Sequence, residues 1–391
     1  MKITDINQDA LRVIAFNVEE KTDLLSLMLS CKSFRDAGTP ALFRNVELES
    51  EEQVSTFCAS LLRDRSLGRF THTLTISGEW LPAAPDSGDE SDNEAKSDEE
   101  DEREAICGPL TEVIFAMPNL RKVDIAIAET ALRWCPPLLT ALAGCSQLVS
   151  LRLEEYNGGD YDGLSRGTQD LMKKLHAPLR KLELVPLVGE RFPHPLELLL
   201  NFRSTLEEVI MSILDINPGK HSDAQWPHVH TLVLDYARVH TAVLEHAFPA
   251  VRELKVELEI ESEWATDPPE HYIANLAHVC SAWARIPHLH GDVGGLWTLA
   301  LSGVEVGLLD VGDVLYKPYQ APALADVVSR VQPDMLSITV CSNDGFLAML
   351  GQAARRLRVL DIDLVRLSHL NTQGVALEYV VSSPSHFFDF S

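Results

Sequence analysis

The chain has no apolar run approaching the roughly 18 residues that a membrane span requires, and no uninterrupted apolar core of signal-peptide length near Met1. It is therefore expected to be soluble, in the cytoplasm or nucleus. Basic residues are scarce: 33 Lys and Arg stand against 58 Asp and Glu, a formal charge of −25. That balance, with no Lys/Arg run, opposes contact with phosphate backbones and anionic membranes, so neither nucleic acid nor membrane is expected as a partner. Cysteines are few, seven in all, odd in number and never in a C-x-x-C pair. A disulfide framework and a structural zinc site are both disfavoured, leaving small buried thiols in a reducing compartment.

Catalytic signatures are also lacking. There is no P-loop, dinucleotide fingerprint, kinase signature or H-E-x-x-H. Gly163-Leu164-Ser165-Arg166-Gly167 fits G-x-S-x-G, but the polar, glycine-rich stretch Tyr156–Asp162 stands where that chemistry needs a strand. The H-x-H pairs His228/His230 and His288/His290 have no neighbouring ligand cluster and read as surface histidines. No catalytic residue, cofactor or metal is expected.

What is present begins with short amphipathic helices. Asn7 is a suitable N-cap, and Leu11, Ile14 and Val18 follow at helical spacing. Thr22 is placed to cap a second helix carrying Leu24, Leu25, Leu27, Met28 and Leu29, apolar around more than half its circumference. A third segment runs from Cys31 through a Gly38/Pro40 interruption to Arg44. Three such helices form a bundle too small to be very stable alone, with apolar residues left for a partner.

Within this stretch Asp23-Leu24-Leu25, Ser30-Cys31-Lys32-Ser33-Phe34-Arg35 and Leu42-Phe43-Arg44 resemble, in order and register, the pattern of an F-box. The sequence departs from it with Ile6-Asn7 for Leu-Pro, Ser30 for valine and Phe43 for tryptophan. The resemblance covers about the first 45 residues. It implies docking onto the Skp-type adaptor of a cullin-based ubiquitin ligase, with contact assigned to Leu11, Ile14, Leu24, Leu25, Leu29, Cys31, Phe34 and Leu42. Each of these is equally able to serve as intramolecular core, and the helices alternatively cap a repeat array.

A Leu-x-x-Leu-x-Leu template recurs at Leu120, Leu148, Leu179, Leu206, Val229 and Val251, then at Leu296, Met335 and Leu357, with a degenerate copy around Leu74 and Ile76. Its alternating part suits a strand with one buried face. Residues 167–175 and 195–202 are able to return as helices. Strand then helix, at about 22 to 31 residues over the best-spaced copies, is similar to leucine-rich repeats. The regular asparagine of that family is missing, so an irregular solenoid of the kind in fungal F-box proteins is expected, with inserted loops at residues 262–294 and 303–333.

The fold class expected is thus α/β: an N-terminal three-helix module (1–48), a linker helix and first repeat (49–81), an acidic insertion (82–104) and a curved repeat solenoid with a parallel sheet (105–391). Residues 86–104 hold eleven acids against Lys96 and Arg103, a net nine of the 25 excess charges, and are expected to be disordered. Ser87, Ser91 and Ser97 each precede an acid by three positions, the context of acidophilic kinases. Outward-facing strand residues Lys122, Asp124, Arg152, Lys181, Glu183, Glu208, Glu253, Lys255, Asp361 and Asp363 are the candidates for target contact on a concave face. The expected role is a target-recognition adaptor whose partners are a Skp-type adaptor, through it a cullin, and an unknown target protein. The alternative is a repeat scaffold with no ligase connection.

Overall fold

The computed structural model describes residues 7–77, 96–155, 164, 166–185, 195–216, 218, 223–258, 270–315, 320–341, 344–366, 380–381 and 386–389. Contacts divide the chain into two compact units, residues 1–191 and 192–391.

The first unit opens with α1 (Gln8–Phe16), α2 (Lys21–Ser30) and α3 (Lys32–Leu42). Asn7 caps α1, its Oδ1 accepting the Asp9 N–H at 3.2 Å. Thr22 does not cap α2: the helix begins at Lys21 after Glu20, and the Thr22 carbonyl instead accepts the Ser26 hydroxyl. Nor does Gly38/Pro40 interrupt α3, which runs through both. Gly38 is where α3 crosses α2, and a Cβ there would sit 2.5 Å from Met28 Cγ, so the absent side chain permits the close approach.

The sheet starts earlier than the sequence suggests. β1 (Asn45–Leu48) pairs in parallel with β2 (Thr73–Ile76), and α4 (Glu51–Arg63) connects them with a 3-10 turn at Arg65–Phe70. Ser50 caps α4 through the Gln53 N–H, and Val54, Cys58 and Leu61 turn inward. Next come α5 (Lys96–Phe115), β3 (Lys122–Ile125), α6 (Ala128–Trp134), α7 (Pro136–Ala143), β4 (Ser150–Glu154), α8 (Arg166–Lys174) and β5 (Lys181–Val185). β1 to β5 form a parallel array in chain order. Residues 82–95 of the acidic tract, with Ser87 and Ser91, lie outside the described residues. Residues 96–104 fall within α5. Glutamate is a good helix former, acids suit a helix N-terminal end, and the same helix is anchored further along by buried Cys107, Leu110, Val113 and Ile114.

The second unit contains a 3-10 turn at Pro195–Phe202, then β6 (Glu208–Ile216), β7 (Thr231–Val239), α9 (Thr241–Ala247), β8 (Glu253–Glu257), α10 (Glu270–Leu276) and β9 (Arg285–Gly291). α11 (Val293–Leu299), β10 (Glu305–Leu315), α12 (Gln320–Val331), β11 (Met335–Cys341), α13 (Asp344–Ala353) and β12 (Val359–Arg366) complete the repeats. β6 to β12 are parallel, and β13 (Val380–Val381) and β14 (His386–Asp389) pair antiparallel to β12. Two expectations are overturned here. Leu296, Leu299 and Leu301 are not a strand: Leu296 and Leu299 lie in α11, capped by Asp292 through the Gly295 N–H at 2.6 Å. The strands stand instead at β9 and β10, inside the stretches read as inserted loops.

The strand leucines Leu151, Leu153, Leu182, Leu184, Leu232, Leu234 and Leu254 are buried. Burial of each aliphatic side chain is worth about 1.5–3 kcal/mol, which an isolated strand could not collect. The large buried indoles are satisfied as well as packed: Trp226 Nε1 donates to the Leu199 carbonyl at 3.0 Å and Trp283 Nε1 to that of Phe248 at 2.8 Å.

Candidate functional site

The three-helix module has two small interior clusters. Leu11, Phe34 and Ala37 form one, with Leu27 and Cys31 against it; Ala15, Leu24 and Met28 form the other, flanked by Val18, Ala41 and Leu42. Leu11, Leu24 and Phe34 of the expected docking set thus belong to these interior clusters. Each is at most 6% exposed and holds the helices together rather than facing outward. Cys31 and Leu42 are half-buried. The exposed members of the set are Ile14 on α1 and Leu25 and Leu29 on α2, the last 77% exposed, joined by Val13, which was not singled out. Leu25 and Leu29 are four residues apart and share a helix face, so α2 presents an apolar ridge to solvent. The aromatic Phe43 stacks on Phe57 of α4 at 6.4 Å between centroids, tying the module to the repeats.

The candidate target-contact residues lie on the sheet face opposite the buried leucines. In the first unit Asp124, Arg152 and Glu183 occupy one register row across β3, β4 and β5. Arg152 links them, its Nη1 3.4 Å from Asp124 and its Nε 2.8 Å from Glu183, while Nη2 reaches Glu154 at 2.6 Å. Burial alone would lower the Arg152 pKa, but the Glu183 hydrogen bond and the three carboxylates outweigh it and raise it. Lys122 and Lys181 share the adjacent row, separated by Ser150. In the second unit Glu208, Thr231 and Glu253 are in register, and the Thr231 hydroxyl donates to Glu253 at 3.3 Å. Lys255 pairs with Glu257 at 2.7 Å and is in register with His290, which bonds Asp310 at 2.9 Å. Asp361 on β12 is half-buried and Asp363 exposed. Each unit thus presents a charged strand face of mixed sign among the described residues.

A set of functional groups that the sequence reading missed lies inside. Glu155 is 4% exposed and accepts the backbone N–H groups of Glu129 and Thr130, at 2.8 and 3.1 Å, where α6 begins. Glu129, itself buried, accepts those of Gly167 and Thr168 at 2.8 and 3.1 Å at the start of α8. Gly167 of the G-x-S-x-G stretch is therefore part of a helix cap; Ser165 lies outside the described residues. In the second unit Asn275 accepts the Thr241 N–H and donates to the carbonyls of Val239 and Thr298. Asp292 accepts from Leu258 at 2.7 Å in addition to Gly295. These side chains satisfy, across successive repeats, backbone groups that would otherwise be buried unpaired.

Glu245, His278 and Cys280 bring three ligand-type atoms within 4.8 Å of one another, the one such group among the described residues. The carboxylate is already engaged: it accepts from His278 Nε2 at 2.6 Å, from Trp283 N–H at 3.2 Å and from the N–H groups of Ser281 and Ala282. Burial, with the Glu245 charge adding, pushes the Cys280 thiol up to about 12, far from thiolate. The group is an anchor for the turn into β9. Of the H-x-H histidines, His228, His230 and His288 are exposed.

What the fold and these sites define is a strand–helix repeat protein carrying an N-terminal three-helix module. No family model matches the chain, and no curated protein matches it. Among solved structures it is similar to a chain of the "Crystal structure of Rad7 and Elc1 complex in yeast", at 12% identity and a TM-score of 0.38, over 86% of this chain and 89% of that one. Among the described residues, no helix is long and apolar enough to cross a membrane.

Proposed function

We propose that this chain is the target-recognition adaptor of a Skp/cullin/F-box ubiquitin ligase. The observation that carries the reading is the solvent-facing ridge Leu25/Leu29, with Ile14, on a small bundle whose sequence resembles an F-box. Exposed leucines on a bundle of this size cost solubility unless a partner covers them, and a helix ridge suits a groove lined by apolar side chains. The mechanism is tethering. The module holds the ligase scaffold, the charged strand faces hold a target, and the target's effective concentration near the transferable ubiquitin rises. No covalent step falls to this chain.

The test is co-purification. The full chain, expressed with a Skp-type adaptor and a cullin, is expected to elute as one complex, and the Leu25→Asp/Leu29→Asp variant, folded, to elute alone. Elution of the wild-type chain without the adaptor supports a repeat scaffold instead.

A further inference from the structure

A cavity of about 400 Å³ lies within the first unit, between the three-helix module and the strand starts. The volume falls in the range of small-molecule pockets, about 300–1,000 Å³. Its charged lining is unusual for a chain of net −25: Lys21, Arg44, His72, Arg121 and Lys122 face one carboxylate, that of Glu19.

The fold assembles this cluster from residues far apart in sequence. Arg44, His72 and Arg121 each stand immediately before a strand, one residue ahead of the register row Asn45–Thr73–Lys122. Backbone hydrogen bonds continue that row: His72 N–H donates to the Arg44 carbonyl at 2.9 Å and Arg121 N–H to that of His72 at 2.8 Å. Parallel strands are about 4.8 Å apart, so Arg44 and Arg121 begin roughly 10 Å from each other with His72 between them.

Few of these cations are neutralised. Lys21 is paired with Glu47 at 3.0 Å. Arg44 lies over the Phe16 ring, 5.3 Å from its centroid, which orients the guanidinium plane while leaving its N–H edge available. Arg121 and Lys122 have no side-chain partner among the described residues. The Nδ1–H of His72 donates to the Phe70 carbonyl at 2.7 Å, which leaves Nε2 as the atom for a ligand. Like charges gathered without partners destabilise a fold unless something anionic is bound, and two guanidinium forks match the oxygens of a phosphoryl group. The apolar side, from Ala15, Leu24 and Leu42, has room for what carries it.

We infer that this cavity binds a phosphate monoester, with Arg44, Arg121 and Lys122 as the principal contacts. The exposed ridge Leu25/Leu29 does not line the cavity, whereas Leu24 and Leu42 of the expected docking set do. The shared chemistry is the phosphoryl dianion, either free in solution or on a phosphorylated side chain of a bound protein.

The experiment titrates the full chain calorimetrically with inorganic phosphate and, separately, with a phosphoserine peptide and its unphosphorylated form. Saturable binding of phosphate or the phosphopeptide is expected, weakened at least about tenfold in Arg121→Glu/Lys122→Glu. Both side chains are exposed, so the variant should melt as the wild type does; if it does not, Arg44→Lys and Glu19→Gln replace it, the first expected to weaken and the second to tighten binding several-fold. A phosphopeptide at least about tenfold tighter than free phosphate assigns the site to a modified protein; equal affinities assign it to a small anion. No saturable binding of either probe, or an affinity unchanged by the substitutions, overturns the inference.

Discussion

Glu155 accepts the backbone N–H of Glu129 at 2.8 Å, and Glu129 in turn accepts that of Gly167 at 2.8 Å, so one buried carboxylate fixes the residue that supplies the next. The relay couples β4, α6 and α8. Removing its first member leaves two amide donors and the Thr130 hydroxyl without their acceptor.

Glu155→Ala is therefore expected to destabilise the chain by about 3 kcal/mol, the cost of stranding buried donors. Urea unfolding at pH 7 measures it. Glu155→Gln, which keeps one acceptor oxygen, is expected to lose less.

Glu245 makes an acid-side prediction. Burial alone would raise its pKa, but the hydrogen bonds from His278 and from the N–H groups of Ala282, Ser281 and Trp283 together outweigh burial and lower it below 4.5. A carboxylate depressed in the folded state contributes stability that is present above its unfolded value and lost as pH falls through the folded one. The wild-type chain is expected to lose this contribution below about pH 4.5, whereas Glu245→Gln lacks it at every pH. Unfolding free energies between pH 3 and pH 7, taken as a difference between the two proteins, check the sign.

Asp292 makes the opposite one. Burial raises its pKa to about 7, against the hydrogen bonds from Gly295 and Leu258 and with the charges of Asp313 and Glu257 adding. The stability linked to this group is complete below the unfolded value of 3.8 and is lost as pH rises through about 7. Relative to Asp292→Asn, the wild-type chain should thus weaken progressively between about pH 4 and pH 7 and change little above that. A carboxyl resonance titrating near neutrality in carbon NMR, absent from the variant, identifies the group.

Much of the fold was legible because its physics repeats. Leucines at the strand spacing marked β3 to β8, β11 and β12, and helical periodicity marked α1 and α2. β9 was hidden because Pro287 and two histidines break its alternation, and β10 because Gly307 and Gly312 dilute its apolar face. α11 was misread because Leu296, Leu299 and Leu301 fit the strand template; Asp292, three residues ahead of Gly295, was the capping signal. The buried and exposed members of the apolar set on α1 and α2 were separable only in three dimensions, since nothing in the spacing distinguishes buried Leu24 from exposed Leu25. Buried carboxylates escaped because a glutamate in sequence reads as surface. The cationic cavity escaped because register alone aligns Arg44, His72 and Arg121.

The Arg152 network tests what the strand face contributes to stability. Arg152 is 35% exposed, so solvent screening keeps its three ion pairs to about 1 kcal/mol or less together. Arg152→Ala is expected to leave the melting temperature within a few degrees of wild type and to reduce its dependence on salt, as thermal unfolding at low and high ionic strength would show.

The central claim is tested most directly by calorimetric titration of a purified Skp-type adaptor into the full chain and into Leu25→Asp/Leu29→Asp, with thermal unfolding of each as a control. Stoichiometric binding to the wild-type chain, weakened at least about a hundredfold in a variant that unfolds at the same temperature, is the result predicted. An adaptor that binds neither protein, or binds both equally, contradicts the account.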